Sequence, residues 1–273
     1  MNQSQIAKAQ AFQQLHRANK ILVLLNCWDA ASARVFELAG APAVATTSSG
    51  LAAANGYPDG QHITRDRLFD AVRRIARVVN VPLTVDLETG FGKTAAEVCD
   101  TVRAVIDAGG IGMNIEDATQ PPVVLADKIK GIRELANRIG LPFFVNARTD
   151  VYLRHFGDED GRLDEAIRRI KTYAAAGADG AFVPGLTDSA TIRRIAQESP
   201  LPLNVLLASG LAPAPELQAL GVARLSIGGA AAFAAMSLAR KIAQELLTTG
   251  TYNAFTLNPP IPHPEVMKMF SAQ

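Results

Sequence analysis

The chain has 273 residues, 48% of them apolar and 19% charged, which is enough apolar material for a large core and argues against disorder. Lys plus Arg number 27 and Asp plus Glu 26, so no whole-chain field is available to steer nucleic acid or an anionic membrane. The two cysteines, Cys27 and Cys99, have no CxxC spacing, which excludes a disulfide framework and a cysteine zinc site and suits a reducing cytoplasm.

The first twenty residues are polar and predict a helix over 3–18, with no signal-peptide apolar core. Short runs that are apolar on both faces then alternate with longer amphipathic ones. Parallel strands covered by helices read this way. The predicted strands are Leu22–Asn26, Ala43–Thr47, Leu83–Leu87, Gly112–Glu116, Phe143–Ala147, Gly180–Pro184, Leu203–Leu207 and Arg224–Ile227. Between them, stripes such as Leu68, Val72, Ile75 and Val79 repeat at helical spacing. Thr64, Thr94 and Asp188 stand where N-caps belong, and Gly40, Gly109, Gly177 and Gly221 where helices end before a strand. Eight such units predict a single α/β domain over 1–273, a (β/α)₈ TIM barrel, which typically takes ~250 residues. A Pro-rich tail follows from Thr251. The rival, an open doubly wound sheet, wants a Gly-rich loop after the first strand, and NCWDAASAR has no glycine. The longest charge-free apolar run, Leu225–Ala239, is shorter than the ~20 residues of a membrane span, so a cytoplasmic protein is expected.

Polar residues at the carboxyl ends of barrel strands form the active site. Here those positions carry Asn26, Asp29, Asp86, Glu88, Glu116, Asp117, Asn146, Arg148, Asp150, Asn204 and Ser226. Asp86 and Glu88 are spaced i,i+2 and leave a strand on the same face. With Glu116 they make an all-oxygen cluster suited to Mg²⁺ or Mn²⁺; the rival reading has these acids cap helices or pair with arginines. Arg148 beside the cluster points to an anionic substrate held between metal and guanidinium. The histidines, His16, His62, His155 and His263, have no metal spacing among them, and Cys27 reads as a buried structural thiol.

The segments NCWDAASARVFELAG, TTSSGLAAANGYPDG, VDLETGFG, NIED and NARTD resemble, in order, the strand-end motifs of the isocitrate lyase/phosphoenolpyruvate mutase superfamily. That resemblance implies a barrel whose eighth helix swaps between subunits of a homodimer or homotetramer. It also implies Mg²⁺-dependent chemistry beside an enolate of a 2-oxo or 2-hydroxy acid. By motif, Asp86, Glu88 and Glu116 resemble the metal ligands, some acting through water. Ser49, Gly50 and Leu51 resemble the loop that holds the substrate carboxylate, Asp59 an acid near the metal, and Arg148 the guanidinium on the carboxylate or enolate oxygen. Asn204 resembles a further substrate contact. The chain departs from the family after Glu116. Asp117–Lys128, a flexible loop in the family, lacks both the lyases' Lys-Lys/Arg-Cys-Gly-His motif and the phosphonate enzymes' Lys-x-x-x-Lys-x-Asn-Ser, and Pro184 replaces a mutase histidine.

The expected activity is therefore a Mg²⁺-dependent C–C lyase acting on a small 2-oxo or hydroxy acid, by decarboxylation or retro-aldol cleavage. P–C chemistry on a phosphonopyruvate-like acid is the alternative, as is a carboxylic-acid-binding paralogue without turnover. A phosphate site at Ser226-Ile-Gly-Gly229 is weighed against tight turning by the two glycines.

Overall fold

The computed structural model describes residues 3–271, so the outermost residues of the predicted domain, 1–2 and 272–273, lie outside the described residues. Eight parallel strands close a barrel in sequence order. They are β1 (Leu22–Cys27), β2 (Val44–Thr46), β3 (Leu83–Asp86), β4 (Gly112–Glu116), β5 (Phe144–Arg148), β6 (Gly180–Phe182), β7 (Leu203–Leu206) and β8 (Val222–Ser226). The expected (β/α)₈ barrel is what forms. The predicted Gly112–Glu116 is β4 as observed, and the other predicted strands differ from these by one or two residues at their ends.

The helices are α1 (Gln3–Leu15), α2 (Ala30–Leu38), α3 (Ser48–Ala54), α4 (Arg65–Val78), α5 (Ala95–Asp107) and α6 (Pro122–Ile139). They continue with α7 (Arg162–Ala175), α8 (Ser189–Glu198), α9 (Ala214–Ala219), α10 (Ala230–Thr248), α11 (Asn253–Leu257) and α12 (His263–Phe270). Local chemistry sets their ends. Thr94 and Glu97 form a capping box on α5, and Asp188 accepts from Thr191 N on α8. Thr64 precedes α4 as expected but makes no side-chain cap bond. Gly40, Gly109, Gly177 and Gly221 all take left-handed φ between helix and strand.

Helix α1 covers the amino-terminal mouth of the barrel. Its Phe12 is fully buried edge-on to Phe144, and His16, just beyond the helix, stacks on the same ring with centroids 4.1 Å apart. Burial lowers the His16 pKa to about 3, so this imidazole is neutral and structural. The sequence from Thr251 is not a bare tail, since it forms α11 and α12, and Arg34 Nε donates to Met269 O at 2.9 Å to hold α12 against α2. No helix among the described residues is long and apolar enough to cross a membrane.

Candidate active site

The carboxyl ends of β2 to β5 bring the charged residues together. Thr46 Oγ1 accepts from Asp86 N at 2.8 Å, and Ser48 N donates to Asp86 Oδ2 at 3.2 Å. The end of β2 thus clamps the acid that ends β3. Ser48, Ser49 and Gly50 form the first turn of α3, where the sequence reads as a loop, so their amides have no acceptor within the helix. Gly50 is obligatory there. A Cβ would stand 2.7 Å from Thr47 Cγ2, 3.0 Å from Trp28 Cβ and 3.1 Å from Ala232 Cβ, on α10. Leu51 follows with its side chain in the core.

Glu88 lies just past β3 with φ 50°, a left-handed conformation that costs a side chain ~1–2 kcal/mol. Its Oε1 accepts from Gln61 N at 3.0 Å, and Gln61 is itself left-handed at φ 62°. Burial raises the Glu88 pKa to about 7, and the charges of Asp86 and Asp59 add to that. Asp59 stands exposed in the turn after α3, its charge felt at Glu88.

Glu116 and Arg148 end β4 and β5 in register, and Arg148 Nη1 donates to Glu116 Oε2 at 2.8 Å. Burial raises the Glu116 pKa to about 8 against the pull of Arg148, with Asp150, Asp86 and Glu88 reinforcing the rise. Arg148 Nε donates to fully buried Asp150 at 2.6 Å, and its guanidinium lies 5.8 Å from the Phe182 ring centroid. Burial alone would lower the Arg148 pKa, but Glu116, Asp150 and Asp86 hold it above its ordinary value. Among the described residues no three His, Cys, Asp or Glu side chains converge as direct metal ligands. Glu116 faces Arg148, and Glu88 faces the Gln61 amide.

Several sequence readings change. Asp117 is not part of a mobile loop. It is buried, its Oδ2 accepts from Arg169 Nη1 at 2.8 Å and Tyr173 OH at 2.7 Å, and its Oδ1 from Thr119 N and Asp150 N. Lys128 lies within α6, its Nζ donating to Thr89 O. Asp29 caps α2 and does not reach the site. The phosphate reading of Ser226–Gly229 fails because Asn26 Oδ1 already accepts from Ile227 N and Gly228 N, both at 3.0 Å. Cys27 is a buried thiol donating to Ala45 O, its pKa pushed up by burial. Asn204, the second residue of β7, lies inside the barrel below the rim. Its Oδ1 accepts from Ser226 Oγ at 3.0 Å, and its buried Nδ2 has no partner. Arg224 was missed altogether, because an arginine in a short strand reads as a solvated charge.

The chain is similar in sequence and fold to known proteins. A Burkholderia cenocepacia structure provisionally described as a phosphonomutase is 40% identical, with a TM-score of 0.84 over 88% of this chain and 99% of that one. The Escherichia coli 2-methylisocitrate lyase is 31% identical over 194 residues, covering 67% of this chain and 64% of that enzyme. The Bradyrhizobium diazoefficiens oxaloacetate decarboxylase is 30% identical over 220 residues, or 78% of this chain and 76% of that one. The model of the phosphoenolpyruvate phosphomutase family matches residues 12–247, and the chain belongs to that family, within the isocitrate lyase/phosphoenolpyruvate mutase superfamily of lyases and mutases.

Proposed function

We propose that the protein is a divalent-metal-dependent C–C lyase for a small 2-oxo or hydroxy acid. The observation that carries this reading is the in-register pairing of Glu116 with Arg148 beside Asp86 and Glu88, an excess of acid against one fixed guanidinium. A phosphonopyruvate hydrolase of similar fold is known in complex with oxalate and Mg²⁺. The donor set is all oxygen, which suits Mg²⁺ or Mn²⁺. Asp86 would hold the ion directly, with Glu88 and Glu116 acting through water, in keeping with their other partners. When bound, the ion supplies electrophilic polarisation of the acid's C2 oxygen.

The chain's own groups do the rest. The amides of Ser49 and Gly50 in the first turn of α3, with Ser49 Oγ, receive the substrate carboxylate. Arg148 presents two N–H groups to the oxygen that gains charge as the C–C bond breaks and its electron pair becomes the enolate. In decarboxylation no proton leaves the substrate, and water protonates the enolate carbon. In retro-aldol cleavage a base must take the hydroxyl proton, and we assign that role to Asp59, which is exposed and whose charge is felt at Glu88. Asn204 is a substrate contact only if its unpartnered Nδ2 is reached from above.

A second reading, P–C bond chemistry on a phosphonopyruvate-like acid, is favoured by the 40% identity to the phosphonomutase-like structure. A panel of 2-oxo, hydroxy and phosphono acids, followed by ¹H and ³¹P NMR, separates the two. Release of pyruvate, glyoxylate or CO₂ supports the lyase, and a new phosphorus signal supports the alternative. Binding without turnover would mark a carboxylic-acid-binding protein. Chelation is expected to abolish activity, and added Mg²⁺ or Mn²⁺ to restore it; full activity in metal-free enzyme would exclude the metal reading.

We also propose a homodimer or homotetramer, with α10 reaching a partner copy. Only Ala232 of α10 is buried, while Phe233, Met236, Leu246 and Leu247 stand exposed. Light scattering should give a multiple of 29.0 kDa, and a stable monomer at micromolar concentration would contradict this.

A further inference from the structure

Packed branched apolar side chains usually fill a barrel of this kind. Here Thr84, Asn114, Asn146, Asn204, Ser226 and Arg224 are buried in the lumen. Arg224 enters from β8 and is fully buried. Its Nη2 donates to Asn114 Oδ1 at 3.3 Å on β4, the strand opposite β8 in a ring of eight, so the side chain spans the barrel. Its Nε donates to Ser226 Oγ at 3.0 Å, and its Nη1 has no partner. Among the described residues no acid lies within ion-pair distance of it. A lone buried cation with two neutral acceptors is costly, and an apolar side chain of similar length would serve the fold at least as well.

What the charge does have nearby is the acid cluster. Asn114, which Arg224 touches, pairs in register with Asp86. Through Asn114 the guanidinium thus reaches the strand paired with β3 at Asp86, and the Asp86 charge is felt at Arg224. Burial lowers the Arg224 pKa to about 9 and Asp86 opposes that fall.

We propose that Arg224 is a positioning residue: a fixed cation beneath the acid cluster that weakens the site's hold on its divalent metal. The proposal rests on the metal-dependent reading above. Its sign is distinctive. Two cations across a low-dielectric interior repel, so removing the charge tightens metal binding, whereas damage to a structural brace loosens it.

The test is titration of the metal-free full-length protein with Mn²⁺, followed by electron paramagnetic resonance of the free ion. Arg224→Met and Arg224→Gln, both uncharged, should each bind Mn²⁺ about tenfold more tightly than wild type. Ser226→Ala removes a hydrogen-bond partner but keeps the charge, and should stay within about twofold of wild type. Wild-type or weaker affinity in both Arg224 variants would overturn the proposal, as would equal tightening in Ser226→Ala. Failure of both Arg224 variants to fold would make Arg224 a brace and overturn it too. Absence of Mn²⁺ binding by wild type would instead bring down the metal reading, and this proposal with it.

Discussion

Replacing Arg148 with lysine is expected to lower kcat by about 10²–10³-fold, the usual consequence of losing one charge-assisted donor to a developing anion. An ammonium keeps the charge but cannot present two coplanar N–H groups. It also cannot serve Glu116 at 2.8 Å and Asp150 at 2.6 Å while facing substrate. Because the contact strengthens as charge builds on the oxygen, kcat should fall more than KM rises. The check is steady-state kinetics on whichever acid the substrate panel identifies. A loss below roughly tenfold would confine Arg148 to its ion pairs and leave the lyase reading to the metal alone.

Asp117→Ala should act on the fold. Its carboxylate takes four hydrogen bonds, and its loss strands the buried Tyr173 phenol and leaves Arg169, whose side chain is 2% exposed, with only Glu165 and the Gln120 carbonyl. Breaking one partner of a buried ion pair typically costs ~3–5 kcal/mol. At about 2–4 °C per kcal/mol for a chain of this size, Tm should drop by about 10 °C, read by calorimetry. Asp86→Ala is the contrast. Asp86 is half-buried and its carboxylate accepts from one amide, that of Ser48, so that variant should hold its Tm within a few degrees while losing Mn²⁺ binding. A small Tm change in Asp117→Ala would mean that Arg169 and Tyr173 find other partners.

These contrasts also show where sequence reading reaches its limit. The strands were legible because a short run that is apolar on both faces fits a helix-covered parallel strand and little else. Asp86, Glu116 and Arg148 followed because a strand's last residues face the barrel mouth. Asp117 was illegible because its partners Arg169 and Tyr173 lie 52 and 56 residues further along, on α7, and no local pattern links them. Ser-Ser-Gly reads as a loop, yet it opens α3 because Thr46, Ser48 and Asp86 lock together across two strands. Arg224 was hidden for the opposite reason, since its surroundings contradict what its residue type predicts. Whether three acids converge as ligands or turn to separate partners also lies beyond spacing, because it depends on side-chain torsions set by Gln61 and Arg148.

The left-handed backbone at Glu88 bears on how this protein can be improved. Glycine takes φ 50° freely, and a glutamate there costs the fold ~1–2 kcal/mol while burying a carboxylate among other acids. A library screened for heat resistance alone would therefore enrich Glu88→Gly, and its winners would be well-folded barrels stripped of part of their acid cluster. Thermal selection of this enzyme has to be coupled to turnover, or it will erase a residue that the proposed metal site draws on.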